Sequence, residues 1–272
     1  MILYGAPVKE KIKEDLIRRV KKLGCKPCLA IVQVGDRPDS SIYIKNKRKF
    51  GEEIGVEVLL KNFNEDITEK ELIEEIKKLN GDKSVDGIIV QLPLPACAGR
   101  SKGFDSEKII NLIDKRKDVD GLVSGSGIIP ATARAVISLL NFYNFEIKDK
   151  KAAVIGQSIL AGKPIADELE KRGAKVFRCD INTKNPEKIA KKCDLLISAV
   201  GKAGIITEKF INPEQVVIDV GINKMKDRIV GDVDFTELVN KLKAISPVPG
   251  GIGPLTIACL FQNLSDLCYY NL

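Results

Sequence analysis

Short apolar runs alternate with amphipathic segments along the whole chain, and this alternation limits the folds that the sequence can adopt. Runs such as CLAIVQVG (28–35) and DLLISAVG (194–201) have the length of a strand and end at glycine. The segments between such runs, for example 8–23, carry apolar residues at helical spacing. Because strands that alternate with helices usually pair in parallel, the sequence predicts an α/β fold with mainly parallel sheets.

The predicted strands are 28–35, 56–63, 85–95, 151–157, 174–180, 194–201 and 215–223. The predicted helices are 8–23, one capped by Ser40 or Ser41 and ending near Gly51, 68–80 with a Thr68/Glu71 capping box, a short one within 97–117, one from Pro130, 162–172, 186–192 and one from Leu255.

A chain of 272 residues exceeds the usual size of a single core, so we expect two domains that face each other across a cleft. The first is predicted to span residues 1–135, with the C-terminal helix 255–272 returning to it. Residues 136–254 follow a doubly wound, Rossmann-like pattern and are predicted to bind a dinucleotide.

The charge and composition argue against several classes of protein. The net charge of +7 comes from basic residues interleaved with 37 acids, and aromatic residues are 5% with no tryptophan, so nucleic acid is not the expected partner. A non-catalytic nucleotide- or nucleic-acid-binding protein stays an alternative, and a salt-dependent affinity for RNA or DNA would test it. Because the chain has no histidine, acid–base chemistry must use Lys, Tyr, Asp or Glu, and no metal site is expected.

The cysteines and the hydropathy indicate a cytoplasmic protein. The seven cysteines form an odd set without disulfide spacing, and the Cys25/Cys28 pair lacks the second pair that a zinc site needs. No apolar run is long enough to cross a membrane, and the N-terminus does not resemble a secretory signal.

A strand followed by VIGQSILAG suggests a dinucleotide-binding turn in the second half. Gly156 would give the tight turn and the next helix would direct its N-terminus at the pyrophosphate, although Ser158 stands where the second glycine is usual. Asp180 closes the following strand, where an acid binds the ribose of NAD. Arg178 and Lys184 lie near enough to accept the 2′-phosphate of NADP, so the residues leave both cofactors open.

Tyr43 and Lys47 are four residues apart on a predicted helix and therefore share one face. A surface contact between them is one interpretation. Proton transfer by Lys47 is the other, because positive neighbours would lower its pKa; these neighbours are Lys45, Arg48 and Lys49.

Polar residues also stand where ligands bind at the edge of a parallel sheet. Gln91 ends a strand, and the aspartates Asp118 and Asp120 lie in a glycine-bearing loop. A carboxylate there could pair with the two N–H donors of a pterin or merely cap the loop. The segment 246–256, rich in proline and glycine, suggests a turn that contacts a ligand.

In this order along the chain, these segments resemble the bifunctional methylenetetrahydrofolate dehydrogenase/methenyltetrahydrofolate cyclohydrolase family. The matching motifs are YIKNK (43–47), DGIIVQLPLP (86–95), KDVDGL (117–122), IGQSILAGKP (155–164), DVGIN (219–223), GDVDF (231–235) and PVPGGIGPLT (247–256).

The resemblance implies oxidation of 5,10-methylenetetrahydrofolate with NADP, followed by hydrolysis to 10-formyltetrahydrofolate, a one-carbon donor for purine biosynthesis. It implies that Lys47 is the catalytic lysine, with Tyr43 and Gln91 around the reacting carbon and Asp120 on the pterin. It also implies a homodimer, and it assigns further residues to ligands: Gly156, Gln157, Ser158 and Ile222 to the cofactor, and Pro249 and Gly250 to the border of folate and nicotinamide.

The sequence departs from the family at positions that bear on the cofactor. Gln157 replaces an arginine that many members carry, and Asp180-Ile181 stands where a His-Ser pair is common. Both changes are expected to weaken the usual binding of the 2′-phosphate of NADP. The family's Pro-Cys-Thr-Pro is Pro-Ala-Thr-Ala at 130–133. A monofunctional NAD-dependent folate dehydrogenase, or a dehydrogenase of another small substrate, stays open.

Overall fold

The computed structural model describes residues 1–95, 103–225 and 228–270. The chain divides into two compact units, here called the three-stranded unit (residues 12–128 and 260–272) and the five-stranded unit (residues 1–11 and 129–259). The predicted α/β class with two domains is confirmed. The boundaries predicted at 135/136 and 254/255 separate a folate-binding part from a cofactor-binding part, and this division stays a prediction.

The three-stranded unit is built on parallel strands in the order β2-β1-β3. Its strands are β1 (Cys28–Val34), β2 (Glu57–Phe63) and β3 (Gly87–Val90). Its helices are the C-terminal part of α1 (Gly5–Leu23), then α2 (Pro38–Ile54), α3 (Glu69–Gly81) and α4 (Ser106–Ile110). The last part of the C-terminal helix, from Leu260, also belongs to this unit. The predicted short helix within 97–117 is α4, and Cys97 lies outside the described residues.

Local sequence explains most boundaries of this unit. The predicted capping box of α3 is confirmed, because the Thr68 hydroxyl accepts from the Glu71 amide at 3.1 Å while the Glu71 carboxylate accepts from the Thr68 amide at 2.8 Å. The predicted Ser40 or Ser41 cap of α2 is wrong, since the helix begins at Pro38, whose fixed φ suits a first helical position. Instead, the Ser41 hydroxyl donates to the carbonyl of the preceding turn.

The five-stranded unit has a parallel sheet in the order β10-β7-β6-β4-β5. Its elements are α5 (Ala131–Phe142), β4 (Lys151–Ile155), α6 (Gly162–Lys171), β5 (Lys175–Cys179), α7 (Pro186–Ala190), β6 (Leu195–Ser198), β7 (Val216–Asp219), β8 (Asn223–Met225), β9 (Arg228–Val230), α8 (Phe235–Leu238), β10 (Ala244–Ile245) and the first part of α9 (Ile252–Tyr270). The strand predicted at 215–223 was too long, since β7 ends at Asp219 and Asn223 begins an antiparallel hairpin.

The strand orders place a possible ligand site in each unit. In the five-stranded sheet, the chain runs outward from β4 to β5 and then returns to β6 on the other side. In the three-stranded sheet, β2 and β3 flank β1 in the same way. Ligands of open parallel sheets bind outside the carboxyl ends of the strands at such reversals. Among the described residues, no helix has the length and apolar character needed to cross a membrane.

Candidate functional site

The structure brings Lys47 and Gln91 together in the three-stranded unit. Lys47 lies on α2 with 7% of its surface exposed, and Gln91 follows the last residue of β3. The Lys47 ammonium donates to Gln91 Oε1 at 2.9 Å, while Gln91 Nε2 donates to the Leu92 carbonyl at 2.9 Å. Because both ends of the Gln91 amide are engaged, its acceptor oxygen is fixed toward the lysine.

Burial gives Lys47 the character of a base. It lowers the pKa of Lys47 below its usual value, against the opposing effect of the Asp120 carboxylate. The sequence predicted this direction but assigned it to the wrong cause. The positive neighbours Lys45, Arg48 and Lys49 are exposed to solvent, which screens them, and burial is the main cause.

The two aspartates of the glycine-bearing loop have separate tasks. Asp118 is 1% exposed, and its carboxylate accepts from the amides of Gly121 at 3.0 Å, Leu122 at 3.2 Å and Val123 at 2.9 Å. It therefore caps the loop. Asp120 is partly exposed and interacts electrostatically with Lys47; burial raises its pKa, which the lysine charge opposes.

Tyr43 lies one helical turn before Lys47 on α2 and is also partly exposed. Its position on the same helix face as Lys47 follows from their spacing of four residues. The four residues predicted to act on folate (Tyr43, Lys47, Gln91 and Asp120) thus belong to one unit. Within it, Lys47 donates to Gln91 and interacts electrostatically with Asp120.

The dinucleotide turn lies between β4 and α6 in the five-stranded unit. Gly156 has φ 91°, and a Cβ on Gly162 would overlap the Gly156 carbonyl oxygen, so the turn closes only with glycine at position 162. Helix α6 has no side-chain cap at Ala161. The amides of Ala161 and Lys163 donate to the Ser158 carbonyl at 3.3 and 3.1 Å, and Pro164 has no N–H, so the helix dipole and the Gly162 amide are what α6 offers to a pyrophosphate. With the close approach that Gly156 and Gly162 allow, the turn fits a dinucleotide.

Neither Gln157 nor Arg178 extends toward a ribose phosphate in this arrangement. The Gln157 amide folds back and donates to the carbonyls of Val154 and Gly156, both at 3.0 Å. Arg178 pairs with two carboxylates of α6, those of Asp167 at 2.6 Å and Glu170 at 2.7 Å. The prediction that Arg178 accommodates a 2′-phosphate therefore has no support in its contacts.

Asp180 directly follows β5, beside Gly156, whose amide donates to the Cys179 carbonyl at 2.8 Å. Its carboxylate accepts from the Thr183 hydroxyl at 2.9 Å and the Asn182 amide at 3.0 Å, and the Thr183 bond in particular lowers its pKa. Asp180 thus presents a negative charge at the sheet edge. Lys184 nearby is exposed.

The remaining predicted residues of the cofactor site, and the two predicted to border folate and nicotinamide, also lie in the five-stranded unit. Ser158 is exposed in the dinucleotide turn, and Ile222 is 47% exposed between β7 and β8. Pro249 is exposed after a cis peptide bond, and Gly250 has φ 107° and accepts from the Gly5 amide at 2.8 Å.

Sequence reasoning gave no individual role to two buried acids of this unit, Asp219 and Asp232. Both lie in motifs that carried the resemblance. A signal was present at Asp219, where an acid interrupts the apolar run VVID just before glycine. For Asp232 no local signal existed, because its partners come from distant segments.

The three-stranded unit has a buried amine, that of Lys47, beside two polar side chains, and the five-stranded unit has a dinucleotide turn. Together they define an NAD(P)-linked enzyme in which an amine can act as a base. Comparison with known families makes this more specific. The catalytic domain of tetrahydrofolate dehydrogenase/cyclohydrolase matches residues 3–120, and the NAD(P)-binding domain of the same family matches residues 130–271. The chain belongs to this family, as the sequence motifs predicted.

Individual relatives align with nearly the whole chain. The bifunctional protein FolD of Agathobacter rectalis is 40% identical and the FolD of Aquifex aeolicus 39%, the alignments covering 96% and 97% of this chain and 95% and 93% of the relatives. The bifunctional FolD structure from Campylobacter jejuni has a TM-score of 0.94 at 38% identity, covering 100% of this chain and 99% of that one. The Trypanosoma brucei FolD, solved with NADP and an inhibitor, has a TM-score of 0.91 at 30% identity and covers 100% and 98%.

Proposed function

We propose that this chain oxidises 5,10-methylenetetrahydrofolate to the 5,10-methenyl form with NADP and then hydrolyses the product to 10-formyltetrahydrofolate. The observation that carries the proposal is the buried Lys47, which bonds Gln91 at 2.9 Å beside Asp120 in a chain of this family. A dehydrogenase needs no base of this kind, whereas hydrolysis needs an acceptor for a proton of water.

The folate ligand is held in the three-stranded unit. Asp120 pairs its two carboxylate oxygens with neighbouring N–H donors of the pterin, because Asp118 already caps the loop and leaves Asp120 available. Tyr43 flanks the reacting carbon. In the five-stranded unit, Pro249 and Gly250 are assigned to ligand contact.

NADP, when bound, would supply the acceptor for the hydride of the methylene group. The dinucleotide turn and the dipole of α6 would hold its pyrophosphate beside Gly156 and Ser158, and Ile222 would supply apolar contact. Gln157 contacts it through its backbone, since the side chain is folded back. Asp180 lies at the ribose and disfavours the 2′-phosphate relative to a neutral residue.

Hydrolysis uses the amine of Lys47. Burial lowers the pKa of Lys47 and so favours its neutral form, and Gln91 Oε1 accepts one of its N–H groups, which orients the lone pair of the neutral amine. The lone pair takes a proton from the attacking water, directly or through Tyr43, as the water oxygen bonds to the methenyl carbon. In the resulting adduct the bond from this carbon to N5 breaks, the hydroxyl proton is transferred to N5 as the formyl carbonyl forms, and Lys47 releases its proton to solvent. Asp120 offsets positive charge that develops on the folate and the lysine.

The assignment of ligands to segments follows from these roles. We propose that residues 1–135, with the C-terminal helix 255–272, bind folate and catalyse, and that residues 136–254 bind the cofactor. We also propose a homodimer and a cytoplasmic location, the latter because six cysteines in the described part of the chain are free thiols.

The test is to mix the purified protein with methylenetetrahydrofolate and either NADP or NAD, and to follow reduced cofactor by absorbance. Decay of added methenyltetrahydrofolate is measured separately without cofactor. We expect both activities, with NADP as a substrate. Absence of reduced cofactor would contradict the proposal, and dehydrogenation without accelerated decay would leave the monofunctional enzyme.

A further inference from the structure

Two aspartates are buried at the ligand-binding edge of the five-stranded sheet. Asp219 is the last residue of β7 and is 2% exposed, and Asp232 follows β9 and is 0% exposed. Burying carboxylates is costly unless hydrogen bonds compensate, so their partners indicate what they hold in place.

Asp232 joins the turn after β6 to the segment after β7. Its carboxylate accepts from the amides of Val200 at 2.7 Å, Gly201 at 3.2 Å and Lys202 at 2.8 Å. It also accepts from the Ser198 hydroxyl and from the Asn223 side-chain amide, both at 3.0 Å. One side chain therefore fixes two separate turns at the sheet edge.

Asp219 in turn fixes Asp232. Its carboxylate accepts from the backbone amides of Gly221 at 2.9 Å, Asp232 at 3.1 Å and Val233 at 2.8 Å. A Cβ on Gly221 would overlap the Asp232 carboxylate, and one on Gly231 would overlap the Asp219 carboxylate. The two acids and the two glycines thus form a close-packed support without space for larger residues.

Two large apolar side chains are presented by the turns that Asp232 fixes. Val200 is 37% exposed and donates its own amide to Asp232. Ile222 is 47% exposed and immediately precedes Asn223. Val200 follows β6, which neighbours β4 at the strand-order reversal, and Ile222 follows β7, the next strand in the sheet. Exposed apolar side chains after these strands suit the planar rings of a dinucleotide.

We propose that Asp232 is a positioning residue for the cofactor: it ties together the turns that present Val200 and Ile222 to the bound dinucleotide, while Asp219 holds Asp232 in place. This inference rests on the cofactor site of the proposed function. Asp232 touches neither ligand itself, so its loss should act on cofactor affinity and leave folate hydrolysis in the other unit intact.

The test is Asp232→Asn, which keeps the size of the side chain but turns one acceptor oxygen into a donor that faces other donors. Calorimetric titration should show that the affinity for NADP falls at least about tenfold. Decay of methenyltetrahydrofolate, measured without cofactor, should change less than about twofold. Asp234→Asn is the matched control, because Asp234 is exposed two residues further on and only caps α8 through the Glu237 amide.

Unchanged NADP affinity in Asp232→Asn would overturn the proposal. Equal losses of NADP binding and hydrolysis, together with a lower Tm, would also overturn it by showing a general structural role. If that variant does not fold, Ser198→Ala removes one of the same hydrogen bonds and should weaken NADP binding about two- to fivefold; no weakening there would refute the idea. A chain that binds NADP but hydrolyses no folate would contradict the proposed function without deciding against Asp232.

Discussion

Replacing Lys47 by methionine separates the two proposed reactions. Methionine keeps an unbranched side chain in the buried position on α2 but removes the nitrogen that bonds Gln91 at 2.9 Å. Hydrolysis then lacks its proton acceptor, and loss of a general base costs about a hundredfold or more in rate. This corresponds to about 2.7 kcal/mol of lost transition-state stabilisation.

Hydride transfer should suffer less from the same change. It loses the hydrogen bond that orients Gln91 and the positive charge near Asp120, but no proton acceptor. The loss of one such hydrogen bond costs about 1 kcal/mol, or about fivefold in rate. Methenyl decay in Lys47→Met should therefore fall about twentyfold further than methenyl formation.

The pH dependence of decay gives an independent check. A neutral amine accepts the proton, so the rate in the unaltered protein should rise with pH as Lys47 loses its proton. Because burial lowers the pKa of Lys47, the rise should be centred below the usual lysine value of about 10.4. Lys47→Met should abolish it.

The assay measures methenyl formation from methylenetetrahydrofolate and decay of added methenyltetrahydrofolate in separate cuvettes. Lys45→Met is the matched control, since Lys45 lies on the same helix but is exposed, and both of its rates should be unchanged. Normal decay with lost dehydrogenation would reverse the assigned role. Normal rates for both would show that Lys47 is a buried lysine without a catalytic task.

Three further substitutions test the two ligand sites. Asp120→Asn should weaken folate binding in calorimetry about tenfold or more while sparing NADP, because an amide accepts only one of two donors; unchanged folate affinity would remove Asp120 from the site. Asp180→Ser should raise the ratio of the NADP to the NAD specificity constant, and a constant ratio would place Asp180 outside the pocket. Gly162→Ala should lower both Tm and NADP affinity, since its Cβ overlaps the Gly156 carbonyl; normal values for both would contradict that close contact.

Much of the fold could be predicted because its signals are local. The buried run of β1 and the capping box of α3 depend on neighbouring residues, and the structure has both. Among the elements described above, three features were missed: the four-residue helix α8, the hairpin of β8 and β9, and the two-residue strand β10. β8 and β9 pair with each other, but each has only three, mostly exposed residues, so no apolar run marks them. β10 has two residues and is defined by its pairing with the distant strand β7.

The candidate site was predictable in its residues but not in its energetics. The spacing of Tyr43 and Lys47 placed them on one helix face, and the position of Gln91 after an apolar run placed it at a sheet edge. The depth at which Lys47 is buried depends on the packing of α2 against the rest of its unit. For that reason the charges of neighbouring residues were wrongly taken as the cause of its lowered pKa.

Asp118 and Asp120 show how two nearby acids can be distinguished by experiment. Burial raises the pKa of Asp120, so its ionised form is disfavoured on folding, and an amide there removes this cost. Asp120→Asn should therefore weaken folate binding without lowering the free energy of unfolding.

Asp118→Asn should instead lower the free energy of unfolding. The Asp118 carboxylate uses both oxygens to accept three backbone amides in a position that is 1% exposed, and an asparagine would direct its NH2 group at one of those donors. Leaving a buried donor unsatisfied costs about 1–3 kcal/mol, which denaturant unfolding can resolve. Folate affinity should also fall, because the loop that carries Asp120 loosens. If Asp118→Asn unfolds at the same denaturant concentration as the unaltered protein, Asp118 does not cap this loop.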